Sequence, residues 1–226
     1  MTEAGERWVR EPVFRYLEPD ESWWHVFPSK YSALAFNPVS TARFALVGSG
    51  RGMYYVGETA AVALWETVLR DAFPNSDGSV WLSPAKYADM SIARVSGARR
   101  FALLSLEGAR MRQWAAAQRF DELVELTRVR PAQYPRTHDA AHRLRSEVPD
   151  ADGLLWLSRQ VDREAVGVVY QRDDAGAADF TVTGLVPLAS AEGVALIDAA
   201  LDAHGYFRLP QDDPALEATL PDDEAP

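Results

Sequence analysis

The stretches DGLLWLS, residues 152–158, and AVGVVYQ, residues 165–171, decide how this chain is read. Neither alternates polar with apolar residues. Each is therefore the pattern of a strand buried on both faces, and the charged segment Arg159–Glu164 turns one strand into the next. Downstream, Phe180–Val186 reads as another strand. A helix follows from Ala191 to Ala203, with Gly205 placed to cap it. Upstream, a polar helix covers Thr137–Glu147, and the spacing of Met111, Trp114, Leu123 and Leu126 predicts helix over 108–130. MSIARV (90–95) and FALLSLE (101–107) have strand-like lengths. Before them, Trp23–Phe27, Phe44–Val47 and Met53–Val56 are short apolar runs broken by turn residues and are read as strands. Glu58-Thr59 opens a helix over AAVALWETVLRDAF (60–73), which Pro74 and the Asn75–Gly78 turn end. Strands and helices interleave without a repeat, which predicts one α+β domain over 23–209: a central mixed sheet flanked by helices. Residues 1–22 form an N-terminal arm. The segment 210–226 carries Asp212, Asp213, Glu217, Asp222, Asp223 and Glu224 with no basic residue, the composition of an acidic, disordered tail.

Composition removes several classes of function. The 226 residues carry 23 Lys+Arg against 33 Asp+Glu, a net charge of −10, which argues against direct contact with nucleic acid because that affinity rests on clustered cations. At 47% hydrophobic residues with seven Trp, the chain has enough apolar surface to close a core. No apolar run reaches membrane-spanning length and the first residues lack a signal-peptide core, so the expectation is a cytoplasmic protein that contacts no membrane. The absence of cysteine removes disulfides, thiolate catalysis and Cys-based metal sites. The glycine fingerprint of dinucleotide folds, the phosphate loop of nucleotide hydrolases and the GxSxG elbow are all missing. His138 and His142 have an i, i+4 spacing, but no Glu follows His138 and no third ligand is in sight. They read as a solvent-facing pair, and no metal is expected.

What remains are four polar residues set in apolar surroundings. Arg43 lies between Ala42 and Phe44, where a guanidinium either faces an anion or snorkels from a sheet edge. Tyr55 sits in a short strand, as core or as a site aromatic. Glu66 falls near Val62, Leu69 and Phe73 at the margin of its helix's apolar stripe, so its carboxylate lines a cleft or joins a structural ion pair. Ser158 ends the run GLLWL, as a strand terminator or a functional hydroxyl.

Together and in this order, these residues resemble the RES domain, a family named for its Arg, Glu and Ser. The matching text is PSKYSALAFNPVSTARF (28–44), YYVGETAAVALWETVLRD (54–71) and DGLLWLSRQ (152–160), followed by AVGVVYQRD (165–173). The resemblance implies an ADP-ribosyltransferase-like fold and a bacterial toxin that degrades NAD and is neutralised by an Xre-like antitoxin. It places the family's Arg on Arg43, its active-site Tyr on Tyr55, its Glu on Glu66 and its Ser on Ser158. In one departure, Trp24-His25-Val26 occupies the place where many members carry a further Arg, so either His25 replaces it as the polar, substrate-binding contact or the site is weaker or altered there.

The implied chemistry is coherent. Nicotinamide leaves as a neutral group from a cationic one, so no general acid is needed, and the barrier is the ribosyl oxocarbenium ion. A carboxylate beside the ribose, here Glu66, stabilises that ion. Arg43 would meet the pyrophosphate and Tyr55 would stack on nicotinamide. Ser158 would bond the ribose or hold Glu66. NAD is then substrate rather than cofactor, and the acceptor is water or inorganic phosphate. A transferase that modifies a macromolecule and a non-catalytic interaction module are the alternatives, and a homodimer is left open.

Overall fold

The structure, a computed structural model, describes residues 11–161, 164–172 and 179–210. The expected acidic tail, apart from Pro210, and the first ten residues of the expected arm lie outside them. The backbone is built on one eight-stranded mixed sheet. Its strands are β1 (Phe14–Leu17), β2 (Ser22–Pro28), β3 (Met53–Gly57), β5 (Met90–Gly97), β6 (Phe101–Ser105), β7 (Gly153–Leu157), β8 (Ala165–Tyr170) and β9 (Phe180–Pro187), in the order β1-β6-β7-β8-β3-β2-β5-β9. Every neighbouring pair is antiparallel except β6 with β7. A parallel pair needs a crossover. Three helices make this one: α2 (Gly108–Ala117), α3 (Leu123–Leu126) and α4 (Tyr134–Glu147). A two-stranded parallel pair, β4 (Ser79–Val80) with β10 (Phe207–Arg208), lies apart from the main sheet. The helices α1 (Ala60–Trp65) and α5 (Ala191–Asp202) pack on each other, and the Trp65 indole N–H donates to the Ala200 carbonyl.

The two runs at 152–171 are the middle of the sheet, and both faces are covered. Leu154, Trp156, Val166, Val168 and Tyr170 belong to the larger core, on the side of Trp65, Leu69 and Leu144. Leu155, Ala165 and Val169 belong to a second core with Trp23, Tyr54, Phe101 and Phe180. Burial on both sides is why these runs do not alternate, whereas the edge strand β9 does, with even-numbered residues from Phe180 to Val186 less exposed than their odd-numbered neighbours. β7 and β8 approach so closely that a Cβ on Gly153 would lie 1.9 Å from the Val168 carbonyl oxygen, so only glycine fits there.

Three expected elements differ. Phe44–Val47 is not a strand but a turn, with Phe44 in the left-handed region at φ 59°. The helix opened by Thr59, whose side chain accepts from the Val62 N–H, is α-helical only to Trp65. Thr67 then donates its hydroxyl to the Ala63 and Leu64 carbonyls, and such back-bonding competes with the helical ladder. The ladder shifts, with the Thr67 and Leu69 amides both meeting the Leu64 carbonyl, and the chain continues in turns. The helix over 108–130 breaks into α2 and α3 at Arg119, whose φ is 56°, so that Phe120 can reach the core. The arm also contains β1, paired to β6.

Asp152, at the start of β7, ties the sheet's middle together. It accepts both Nη groups of Arg99 at 3.0 and 2.9 Å and the Ala102 N–H at 2.9 Å, with Arg172 at 3.5 Å. Burial disfavours its charged form, but these donors outweigh that and hold the carboxyl below its ordinary value. A carboxylate depressed in the folded state contributes stability at pH values above its unfolded pKa, and that contribution is lost as pH falls through the folded value. Asp152→Asn is expected to lower stability at neutral pH by about 1 to 2 kcal/mol, because Arg99 is partly exposed, and to flatten the acid limb below about pH 4. Thermal melts of both proteins at a series of pH values check this. Parallel curves would show that Asp152 does not set the acid limb.

Candidate active site

The turn at residues 43–44 builds the site. An apolar run such as Phe44–Val47 would extend into a strand if left to local preference, yet three distant side chains hold its entry in a turn. The Tyr55 hydroxyl on β3 donates to the Arg43 carbonyl at 3.1 Å, and the Tyr170 hydroxyl on β8 donates to the Phe44 carbonyl at 3.0 Å. The Thr137 hydroxyl on α4 accepts from the Phe44 N–H at 3.0 Å and donates to the Tyr134 carbonyl. A non-glycine residue at positive φ is costly and persists only where surrounding contacts over-determine it. His138 and His142 add to this grip. Rather than simply facing solvent, their Nε2 atoms lie 3.2 and 3.1 Å from the Thr41 and Ala42 carbonyls and 3.0 Å from that of Val47, pinning the loop to α4.

The strained turn holds the Arg43 side chain in the interior, 7% exposed, with its Cζ 5.5 and 5.9 Å from the Tyr134 and Trp156 ring centres. One nitrogen, Nη2, donates to the Val129 carbonyl at 3.3 Å. Nε and Nη1 are buried and have no partner among the described residues. Buried donors of a charged group left unpaired are expensive, and an anionic ligand is the partner that such a fork fits. Arg43 therefore does not snorkel from a sheet edge.

Glu66 follows α1 as its C-terminal capping residue. Its Oε1 accepts from the Ser158 hydroxyl at 2.7 Å. The Ser158 oxygen itself accepts the Gln160 and Val161 N–H groups at 3.0 and 3.2 Å, so its single proton is committed to Glu66. No cation pairs with this carboxylate among the described residues, which sets aside the structural ion pair. Arg70, four residues on, donates Nε and Nη2 to the Glu66 carbonyl oxygen instead and so fixes the backbone beneath the side chain.

These groups meet at a cavity of about 540 Å³, lined by Arg43, Tyr55, Glu66 and Arg70 together with Tyr31, Phe36, Tyr134 and Trp156. That size and mixture of aromatic walls with a few convergent polar groups suits a nucleotide-sized organic ligand. Burial pushes the Tyr55 phenol well above its ordinary range, so it is a neutral ring with a hydroxyl donor. Ser158 lies behind Glu66 rather than in the wall.

His25 contributes to the cavity lining, but its ring stacks on Tyr54 at 4.1 Å and Phe27 at 5.4 Å, within the second core. Nδ1 carries the proton and donates to the Tyr55 carbonyl at 2.7 Å. Burial pulls its pKa down to about 4, against the opposing effect of that carbonyl. The ring is therefore neutral at pH 7 and brings no positive charge of the kind an arginine there would bring. Sequence reasoning missed Arg70, Tyr134 and Trp156. The i, i+4 relation of Glu66 to Arg70 was the available signal for the first, while the two aromatics look like any other core residues until the sheet and α4 bring them together.

Among protein-family models, that of the RES domain matches residues 22–217, most of the chain. No curated protein matches significantly, nor does any solved structure.

Proposed function

We propose, from the premise that the chain belongs to the RES domain family, that it cleaves the nicotinamide–ribose bond of NAD and acts as a toxin by depleting that dinucleotide. Membership supports an NAD-related, toxin-like role, and a carboxylate and a guanidinium at one cavity support the specific reaction. The observation that carries the reading is a carboxylate without a cationic partner among the described residues, Glu66, oriented by Ser158 at the wall of a cavity that is also lined by Arg43, two of whose guanidinium donors are buried and unpartnered there. The guanidinium holds the dinucleotide's phosphates, and Tyr55, Tyr134 and Trp156 offer faces to its flat rings. As the C–N bond breaks, its electron pair leaves with nicotinamide and positive charge spreads over ribose C1′ and the ring oxygen. Glu66 stabilises that charge without forming an ion pair beforehand. Water or inorganic phosphate then bonds to C1′. An Xre-like protein is the expected neutralising partner.

Expression of the protein alone is expected to stop growth and empty the cellular NAD pool, while the Glu66→Gln form, at equal soluble yield, leaves both unchanged. Normal NAD with arrested growth and label from NAD on a macromolecule would instead make the protein a transferase. Normal growth and NAD with abundant folded protein would make it an interaction module.

Ser158→Ala isolates the positioning step. Glu66 keeps its charge but loses its only hydrogen-bond donor of the described side chains, so kcat should fall about tenfold with KM little changed. Steady-state kinetics checks this, and an unchanged kcat would remove Ser158 from the mechanism.

A further inference from the structure

Beside the aromatic cavity lies a second, of about 470 Å³, and Arg43, Glu66, Arg70 and Tyr134 line both. Its remaining walls add Arg130 and Arg159, so four arginines line it together with two acidic residues, Glu66 and Asp71. Neither carboxylate neutralises them. Glu66 takes the Ser158 hydroxyl, and Asp71 faces Lys86 at 3.5 Å. The arginines are anchored on neutral carbonyl oxygens where they are anchored at all: Arg43 on Val129, Arg70 on Glu66 and Arg159 on Arg128. Arg130 makes no side-chain hydrogen bond or ion pair among the described residues. In a chain of net charge −10, with acids available to pair them, four arginines held without a carboxylate around one cavity form a local positive field. Like charges so gathered repel one another until an anion joins them, and Arg43, which lines both cavities, has two buried donors with no partner among the described residues.

We propose that this second cavity is a subsite for a phosphate group, with Arg70, Arg130 and Arg159 as ligands added to Arg43. The assignment rests on the NAD reading for its catalytic meaning, because Glu66 borders both cavities. A phosphate group held there is either the dinucleotide's own pyrophosphate or free inorganic phosphate waiting beside the ribose.

The test uses the Glu66→Gln protein, so that NAD is not consumed, with and without the further pair Arg130→Met and Arg159→Met. Both of these arginines are exposed, so the fold is retained. Calorimetry measures NAD and inorganic phosphate separately. A drop of about tenfold or more in NAD affinity, with no phosphate binding to either protein, supports the subsite and assigns it to the pyrophosphate. Phosphate binding that is lost in the Arg130/Arg159 variant while NAD affinity stands supports the subsite and assigns it to free phosphate. Unchanged affinity for both ligands overturns the subsite and leaves the NAD reading intact. Failure of folded Glu66→Gln to bind NAD at all overturns the NAD reading, and the phosphate measurement still decides the subsite.

Discussion

Glu66→Gln is expected to give a folded protein that binds NAD and releases nicotinamide about 10²- to 10³-fold more slowly, a loss of roughly 2.7 to 4 kcal/mol of transition-state stabilisation. The substitution keeps the shape and retains an oxygen that accepts from Ser158, so that hydrogen bond survives. On the proposed reaction, what it removes is the negative charge where the ribosyl cation would develop. Had Glu66 been half of a buried ion pair, removing its charge would have cost about 3 to 5 kcal/mol of stability. Its carboxylate has no cationic partner among the described residues, because Arg70 bonds its carbonyl and Ser158 is neutral. The melting temperature should therefore barely move. Comparing nicotinamide release with calorimetric NAD affinity and thermal melting separates the cases, and a variant that turns over at the parental rate, or that unfolds, removes Glu66 as the catalytic carboxylate.

Arg43→Met should have the opposite division of effects, with large loss of binding and no loss of fold. The guanidinium has two buried donors without partners among the described residues, and its contacts to Tyr134 and Trp156 are ones an unbranched apolar chain can replace. Removing a buried group that is poorly satisfied is close to neutral for stability or favourable. The same donors are what an anionic ligand gains, and hydrogen bonds to charged groups contribute about 1.5 to 3 kcal/mol, or roughly 10- to 100-fold in affinity. The variant is thus expected to melt at or above the parental temperature without NAD and to lose most of the rise that NAD produces. A variant that melts early while retaining NAD affinity would make Arg43 a structural residue.

How much of this was legible beforehand depended on whether the deciding contact is local. The runs at 152–158 and 165–171 announced the middle of the sheet because burial on both faces writes itself into composition, and the order of strands and helices gave an α+β domain. Arg43 and Glu66 stood out because a charge in an apolar segment needs a reason. Phe44–Val47 misled for the converse cause. Its residues favour a strand, and the bonds that hold its start in a left-handed turn come from Tyr55, Tyr170 and Thr137, up to 126 residues away. The break at Glu66 likewise depends on Thr67 diverting its hydroxyl into the helix. The second cavity was invisible because Arg70, Arg130 and Arg159 lie far apart in sequence and each alone looks like an ordinary surface arginine.

The proposed reaction of this site is cleavage of the nicotinamide–ribose bond. The most direct measurement is free nicotinamide formed when the purified protein is incubated with NAD, followed with and without inorganic phosphate so that the other product is identified at the same time. One nicotinamide is expected for each NAD consumed, together with free ADP-ribose or its 1-phosphate. NAD recovered intact after prolonged incubation with folded protein in both conditions would contradict it.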